Sequence, residues 1–402
     1  MNQLPPKPKD ALWTDEQWQA IMTRNTNTLV SAAAGSGKTA VLVERIIQRL
    51  LSEDDPVDVD RLLVVTFTNA AAAEMRKRIG DALEKALAKQ PDNLHLRRQL
   101  SLLNRASIST LHSFCIDVLR THYYKLGLDP GFRILDDTEA ALMREEILEE
   151  LFEEEYSDPN NETFFKLVDI YSNDRSDEPL RSIVEKLYDF SRSHPWPNEW
   201  LDFVVSQYQV QDNSWIIHLH DLIKHELRNN LALLEQAKQM IELPGGPKAY
   251  SEAVEHDKAQ LERLVSLADD WDSLYTAFQT LEFPRLKTIS KKDDVSEPLK
   301  ESVKSLRNKA KDSLETLQEN YFSRPLNEYI DDMIQFAPVI QKLVELVKTF
   351  AEKFSDVKRE KAVCDFADLE HYCLDLLQAE TSAPDRLIPS EIALDYKAKY
   401  RE

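Results

Sequence analysis

One short segment constrains the fold of this chain more than any other feature of its sequence. It reads Ala32-Ala-Ala-Gly-Ser-Gly-Lys-Thr39, follows the apolar residues 28–31 and opens a run of helix-forming residues at 38–51. A glycine-rich turn between a buried strand and a helix is the setting of a phosphate-binding loop. Such loops lie at the carboxyl end of a parallel strand, so the segment predicts an α/β fold. The alternative is a tight turn that ends in a surface lysine.

The residue types in this segment suit the chemistry of bound ATP. Gly35 and Gly37 allow backbone amides to turn inward around phosphate oxygens, and the helix N-terminus adds the positive end of its dipole. Lys38 places a charge between the terminal phosphates, and the Thr39 hydroxyl is a ligand for Mg²⁺. Ala32 replaces the usual first glycine and, being small, leaves the backbone cradle intact. The predicted ATP-binding residues are Ala33, Ala34, Gly35, Ser36, Gly37, Lys38, Thr39 and Ala40, with Lys38 and Thr39 catalytic and Thr39 the metal ligand.

Two further strand–helix pairs follow in the first 125 residues. The apolar run 62–67 precedes a helix at 70–87, and residues 107–110 precede a helix that ends near residue 124. Continuous apolar strands that alternate with helices indicate a parallel sheet. Residues 126–360 have helical periodicity throughout, and residues 361–402 are predicted to return to the α/β domain. The chain is therefore predicted to fold as a parallel-sheet α/β domain with a large all-helical insertion.

Composition agrees with a helix-rich protein that acts inside the cell. Only seven glycines occur in 402 residues, far below the usual share of about 7%. The net charge is −21, but residues 1–125 contain 17 Lys and Arg against 14 Asp and Glu, so the acidity belongs to the later part and does not exclude a DNA site in the first part. Three cysteines without metal-ligand spacing, no membrane-length apolar run and no signal-peptide pattern predict a cytoplasmic location.

Polar and aromatic side chains follow the second and third predicted strands. A phenylalanine beside threonines and an asparagine offers a ring on which a base can stack and hydrogen-bond donors for phosphates. Sites that bind single-stranded nucleic acid combine these two kinds of group. Taken alone, the first group also fits a capped helix with a buried phenylalanine, and the histidine of the second fits a core residue. The candidates for DNA binding are Thr66, Phe67, Thr68, Asn69, Thr110, His112, Ser113 and Phe114.

Gln17 lies upstream of the glycine loop in the segment Thr14-Asp-Glu-Gln17. This pattern is a capping box at the start of a helix, in which Gln17 is an ordinary solvated residue. A glutamine amide also matches the donor and acceptor edges of adenine. Both interpretations stay open on the residues alone.

In order, Gln17, AAAGSGKT, TFTNAAAAEMRKRI and STLHSFC resemble the glutamine, Walker A and first two DNA-binding motifs of the UvrD/Rep/RecB-like superfamily 1 DNA helicases. Asp365-Phe-Ala-Asp-Leu369 resembles the helix that precedes the Walker B strand in that family. The resemblance covers residues 12–125 and 360–402. The long acidic helical middle is similar to that of the AddA-type helicase–nuclease members.

The resemblance implies a RecA-like motor domain that uses ATP and Mg²⁺ to move 3′→5′ along one DNA strand. It implies that Gln17 contacts adenine, that Lys38 and Thr39 serve the phosphates and Mg²⁺, and that the eight candidates above line the strand. For an AddA-type member it also implies processing of duplex DNA ends, a nuclease domain elsewhere and a heterodimer with an AddB-like subunit. No apolar strand ending in Asp-Glu occurs in the chain, so we expect Walker B and the arginine fingers to lie beyond residue 402.

Three other functional interpretations are compatible with parts of the sequence. Within the family, the alternative to a helicase–nuclease subunit is a plain UvrD/Rep-type repair helicase without a nuclease. A small P-loop kinase or ATPase leaves the two DNA-type segments without a role. A helical scaffold protein with a residual nucleotide site is favoured only by the lack of a Walker B pair.

A cationic stripe is also predicted on a helix at residues 297–319, in parallel with an apolar stripe. The stripe consists of Lys300, Lys304, Arg307 and Lys311, with Lys291 and Lys292 just upstream. We expect it to contact phosphates of duplex DNA. The alternative is a solvated face without a ligand.

Overall fold

The computed structural model describes residues 6–8, 12–52, 56–173, 175–209, 214–290 and 294–402. The chain divides into two compact units. The first contains Met1–Ile147 and Glu352–Glu402, and the second contains Leu148–Ala351. The first unit therefore takes in both ends of the chain, and the second is inserted between them.

The first unit holds all the named strands of the described residues. Its elements before the insertion are α1 (Asp15–Met22), α2 (Lys38–Leu50), β1 (Leu63–Thr66), α3 (Asn69–Lys89), α4 (Leu94–Leu102), β2 (Ser107–Thr110), α5 (Leu111–Leu126) and β3 (Arg133–Ile134). The chain enters the second unit within α6 (Asp137–Ser157) and continues through α7 (Glu162–Tyr171), α8 (Glu178–Ser191), α9 (Pro197–Gln207), α10 (Ser214–Glu242), α11 (Ser251–Ser266), α12 (Trp271–Phe278) and α13 (Glu297–Tyr321). It returns within α14 (Leu326–Glu360) and ends with β4 (Val363–Cys364), α15 (Phe366–Leu377) and α16 (Glu391–Lys399).

The strands form two small parallel sheets. β1 pairs with β2 in a register that places Thr66 opposite Thr110, and β3 pairs with β4. The prediction of a helix-rich α/β fold with parallel strands is confirmed in this form. The strands predicted at 62–67 and 107–110 are present as β1 and β2, whereas β3 and β4, two residues each, were not predicted.

The strand predicted at residues 28–31 is not formed. These residues have no regular secondary structure, and Leu29 is 94% exposed. A strand is stable only when a neighbour satisfies its backbone groups, and within the described residues no strand lies beside this segment. Apolar composition alone is therefore a misleading signal here.

The two last residues of the chain lie alongside β1. The N–H of Leu63 donates to the carbonyl of Glu402 at 2.9 Å, and the N–H of Arg401 donates to the carbonyl of Arg61 at 2.9 Å. The carboxylate of Glu402 accepts from Nε of Arg45 at 2.7 Å. A backbone ladder and an ion pair thus fix this end of the chain against the sheet.

Helical spacing explains how α3 packs onto this sheet. Its buried residues Ala72, Met75, Ile79 and Leu83 recur at intervals of three and four, which places them on one face. That face packs with α2, α4 and the two strands in one core. A second core joins α5, α15 and α16, and its cysteines Cys115, Cys364 and Cys373 are buried and free.

The second unit is helical in all its named elements. α10 packs against α11 and α13, and the core they form with α12 contains the stacked rings of Phe278 and Phe322, whose centroids are 4.3 Å apart. Of the predicted apolar stripe of α13, Val303, Ala310, Leu314 and Leu317 are buried, and Leu299 and Leu306 are half-buried.

The predicted cationic stripe on α13 is wrong at Arg307, whereas Lys300, Lys304 and Lys311 are half-exposed. Arg307 is buried, and its Nε donates to Oδ2 of Asp257 on α11 at 2.5 Å. The spacing explains this placement, because residue 307 follows Val303 by four and precedes Ala310 by three, which puts it on the apolar face. Burial raises the pKa of Asp257, and the Arg307 guanidinium opposes that shift.

The lysines of that stripe are also engaged with acidic groups. Each pairs with a glutamate one turn away on the same helix: Lys300 with Glu297, Lys304 with Glu301, and Lys311 with Glu315. Surface pairs of this kind are worth only about 0–1 kcal/mol, so the contact of these lysines with duplex DNA stays a prediction. Lys291 and Lys292 lie outside the described residues.

Among the residues that the structure describes, no helix is both long and apolar enough to cross a membrane.

Candidate functional site: a glycine loop and two strand ends

The N-terminus of α2 differs from the other helix N-termini of its unit. Its cap is Gly37 at φ +85°, a left-handed conformation that favours glycine, and no side chain caps it. Six other helices of the unit are capped by the side chain of Thr14, Thr68, Asn93, Thr110, Asp365 or Ser390. The first N–H groups of α2 are therefore available to an anion, where the helix dipole favours negative charge.

Lys38 places its ammonium group over the glycine loop. Its Nζ donates to the carbonyls of Ala32 at 2.7 Å and Ala33 at 2.9 Å. The loop is closed by the N–H of Ser36, which donates to the carbonyl of Ala33 at 3.3 Å. Lys38 and Thr39 are exposed, so a phosphate group can exchange with the loop carbonyls as the partner of Nζ. An uncapped helix end, an ammonium and an adjacent hydroxyl together fit a triphosphate with its Mg²⁺.

Gln17 of α1 contacts the same loop. The predicted capping box is present, because the N–H of Thr14 donates to Oε1 of Gln17 at 2.9 Å and the N–H of Gln17 donates to Oγ1 of Thr14. Nε2 of Gln17 donates to the carbonyl of Ser36 at 3.2 Å. A glutamine amide has two donor and two acceptor positions, so one of each is left for a base. Both sequence interpretations of Gln17 are therefore compatible with its placement.

The register of β1 and β2 brings the two candidate DNA segments to one edge of the sheet. Thr66 and Thr110 are direct partners, so the residues that follow them leave the sheet at the same level. Phe67 is fully exposed, at 104% of its reference area. A buried phenylalanine, the alternative for this segment, is therefore wrong. An exposed ring at the carboxyl end of parallel strands is placed to meet a ligand.

Threonines flank Phe67 in the sequence on both sides. Oγ1 of Thr66 donates to the carbonyl of Thr68 at 3.0 Å. Oγ1 of Thr68 accepts from the N–H of Ala71 at 3.1 Å and caps α3. Asn69 is exposed in the first turn. Cap hydroxyls of this kind keep their O–H as a donor while the oxygen accepts from the helix.

At the start of α5 the candidates are tied into local contacts. Oγ1 of Thr110 accepts from the N–H of Ser113 at 3.2 Å, and the two hydroxyl oxygens are 2.8 Å apart. Phe114 is half-buried and packs edge-on against the rings of Tyr396 and Tyr400, at 6.0 and 6.2 Å. Its surroundings are those of a packing residue.

His112 contacts two residues that were not among the predicted site residues. Its Nε2 lies 3.1 Å from Oε1 of Glu370, and its ring centroid lies 4.8 Å from that of Phe366. Phe366 follows the Asp365 cap of α15 and is 54% exposed. These partners are separated from His112 by more than 250 positions in the sequence. Only the packing of α15 on α5 reveals them.

Comparison with known proteins identifies the family. The model of the UvrD/REP helicase N-terminal domain matches residues 13–402. The chain belongs to this family. The glycine loop and both strand ends lie within the region matched by the UvrD/REP helicase N-terminal domain.

The chain is also similar to longer proteins of known name. It is 49% identical to an ATP-dependent helicase/nuclease subunit of Geobacillus kaustophilus, over 99% of this chain and 32% of that protein. It is 48% identical to the subunit of the same name from Bacillus cereus strain ATCC 10987, over 100% of this chain and 33% of that protein. The chain therefore spans about a third of the length of these relatives.

Proposed function

We propose that this chain is the N-terminal motor portion of an ATP-dependent DNA helicase that translocates 3′→5′ along a single strand. The observation that carries the proposal is the full exposure of Phe67, directly after Thr66, the last residue of β1, which pairs with Thr110 at the end of β2. An exposed ring among hydroxyl donors suits an unstacked base and its phosphates. Membership of the UvrD/REP helicase family supports the same function and a RecA-like motor.

The glycine loop is the proposed ATP site. The uncapped amides of α2 and the Lys38 ammonium would hold the phosphates, Thr39 would bind Mg²⁺, and Gln17 would contact the adenine. ATP supplies the free energy of translocation when it is hydrolysed. Because Gln17 is bonded to Ser36, the base contact and the phosphate loop are mechanically linked.

The two strand ends are the proposed single-strand track. Phe67 would stack on a base, while Thr68 and Asn69 would donate to phosphates. Thr66, whose hydroxyl donates to the carbonyl of Thr68, and Thr110, which is buried, would hold the strand ends in place beneath the track. Ser113 and His112 would extend the track along α5. We add Phe366 to this surface, because its exposed ring lies beside that of His112. Phe114 would support the track by packing rather than by contact with DNA.

The relatives suggest the setting in which this motor acts. Their name joins a helicase to a nuclease and describes one subunit of an assembly. We propose that the whole protein is the AddA-type subunit of a helicase–nuclease that processes duplex DNA ends, with an AddB-like partner, and that the nuclease lies outside the matched third. Free cysteines fit a reducing cytoplasm. A P-loop kinase is the weaker candidate, because the exposed strand ends would then have no ligand.

The substitution Phe67→Ala tests the track. Stacking on an aromatic side chain is worth about 1–3 kcal/mol per base, so the affinity for single-stranded DNA should fall about 5- to 150-fold. Binding of ATP should not change, because the glycine loop is untouched. Fluorescence anisotropy with labelled oligothymidylate measures the first quantity, and a fluorescent ATP analogue measures the second.

Phe203→Ala provides a matched control for that experiment. Phe203 is also exposed, at 46%, but lies on α9 in the second unit. We expect this variant to bind DNA as the wild type does. Equal affinity in all three proteins would contradict the proposed track.

A further inference from the structure

A groove runs along α3 from the proposed track. It encloses about 570 Å³ and is lined by Asn69 and Ser109 at the strand ends and by Arg76, Lys77, Asp81 and Glu84 along the helix. At a rise of about 1.5 Å per residue, Asn69 and Glu84 are about 22 Å apart along the helix axis. This α3 groove therefore begins among the residues proposed to bind DNA and continues well beyond them.

The half of the α3 groove nearest the track is positively charged. The guanidinium of Arg76 is fixed, because one of its terminal nitrogens donates to the carbonyls of Ala106 at 3.3 Å and Ile108 at 3.0 Å. Lys77 is exposed, and the described part of the chain gives it no acidic partner. Arg78, by contrast, pairs with Glu74 and does not line the groove.

The charge of the surrounding segment differs in sign from that of the chain. Residues 69–105 contain eight Lys and Arg against four Asp and Glu, in a chain of net charge −21. A local excess of cations in an acidic protein attracts phosphates to that place and not elsewhere. The far half of the groove is acidic at Asp81 and Glu84, so a phosphate chain would be repelled there.

We propose that the near half of the α3 groove binds the phosphate backbone of single-stranded DNA that extends beyond the track. Lys77 supplies an ionic contact, Arg76 supplies a fixed cationic wall, and Asp81 marks the point at which the strand leaves the helix. This inference rests on the proposed function for the presence of DNA in the track. It adds a binding site that lengthens the contact by several nucleotides.

Oligothymidylates of about 4 to about 20 nucleotides separate the groove from the track, because a short strand fills only the track. Lys77→Glu should leave the binding of the shortest strands unchanged. For long strands it should remove one phosphate contact. The plot of log affinity against log salt concentration should then be less steep by about 0.7, and the affinity should fall about threefold or more. Lys89→Glu is the matched control, since Lys89 carries the same charge on the same helix but does not line the groove.

A gain-of-function variant completes the test. Asp81→Lys should raise the affinity for long strands by a similar factor. The strand length beyond which affinity no longer increases should become greater. Asp92→Lys, an equal charge change outside the groove, should not shift that length.

The outcomes distinguish the two proposals. If the wild type binds no strand of any length, the track and the groove both fail. If it binds short strands but Lys77→Glu and Asp81→Lys leave the length dependence unchanged, or if Lys77→Glu weakens short and long strands equally, the groove fails and the track stands.

Discussion

Replacement of Lys38 by alanine should abolish ATP-driven unwinding while single-stranded DNA still binds. The ammonium lies over the glycine loop, 2.7 Å from the carbonyl of Ala32, and in the proposed ATP site it would neutralise charge on the phosphoryl group that is transferred. Loss of one such electrostatic partner costs about a hundredfold or more in turnover. Phosphate release and strand displacement by the full-length protein measure the loss, and anisotropy with oligothymidylate measures DNA binding.

Lys125→Ala is the control for this variant, because Lys125 is an exposed lysine at the end of α5, away from the loop. It should retain wild-type turnover. If Lys38→Ala hydrolyses ATP at a rate near that of the wild type, the glycine loop is not the ATP site of the motor.

Replacement of Lys358 by methionine should cost the first unit about 3–5 kcal/mol of stability. Lys358 is 2% exposed, and its Nζ donates to Oδ2 of Asp365 at 2.8 Å and to Oδ1 of Asp368 at 2.7 Å. Without the ammonium, two carboxylates at the start of α15 stay close together in a buried site. Hydrogen exchange of α15 peptides, followed by mass spectrometry, measures the local free energy of opening.

The loss should depend on pH in a defined direction. Burial raises the pKa of Asp368, and the neighbouring Asp365 carboxylate adds to that shift while Lys358 opposes it. Without Lys358 the pKa of Asp368 in the native state rises further. A carboxyl group whose pKa is raised on folding stabilises the fold at pH values below its pKa in the unfolded chain, and this stabilisation is lost as the pH rises through its pKa in the native state. The deficit of Lys358→Met should therefore shrink from neutral pH towards about pH 5.

Two further variants separate charge from packing at this site. Adding Asp365→Asn and Asp368→Asn to Lys358→Met removes all three charges and keeps the caps, so most of the lost stability should return. Lys361→Met, at an exposed position, should change stability by no more than about 0.5 kcal/mol. A deficit that the triple variant does not reduce would assign the effect of Lys358 to packing against Phe354 instead of charge.

Features set by neighbours in sequence were predictable from the residues alone. The capping box of Gln17, the glycine loop before α2 and the cap of α3 by Thr68 each involve groups a few residues apart. The strand predicted at residues 28–31 is wrong because a strand depends on a partner that can come from anywhere in the chain. Here Arg401 and Glu402 lie beside β1, whereas no strand of the described residues pairs with 28–31.

The side chains around His112 and Arg307 show the same limit. Helical spacing alone places Arg307 on the apolar face of α13, although the charge pattern of the segment obscures that signal. Its partner Asp257, by contrast, lies 50 positions upstream on another helix, and no pattern in the sequence points to it. Phe366 and Glu370 reach His112 only because α15 packs on α5. Contacts of this range follow from the folded arrangement and not from periodicity.

The hydroxyl of Thr68 has a consequence for which amino acids position 68 can accept. Its oxygen accepts from the N–H of Ala71, so α3 needs only a hydrogen-bond acceptor at position 68, and aspartate would cap the helix as well as threonine does. A phosphate bound beside Phe67 would need the hydrogen of the same hydroxyl as a donor, and an aspartate carboxylate would repel that phosphate. The two demands are separable at one atom. A genetic screen for alleles that accumulate as folded protein yet fail to engage DNA should therefore recover aspartate at this position, and alanine should fail on both counts.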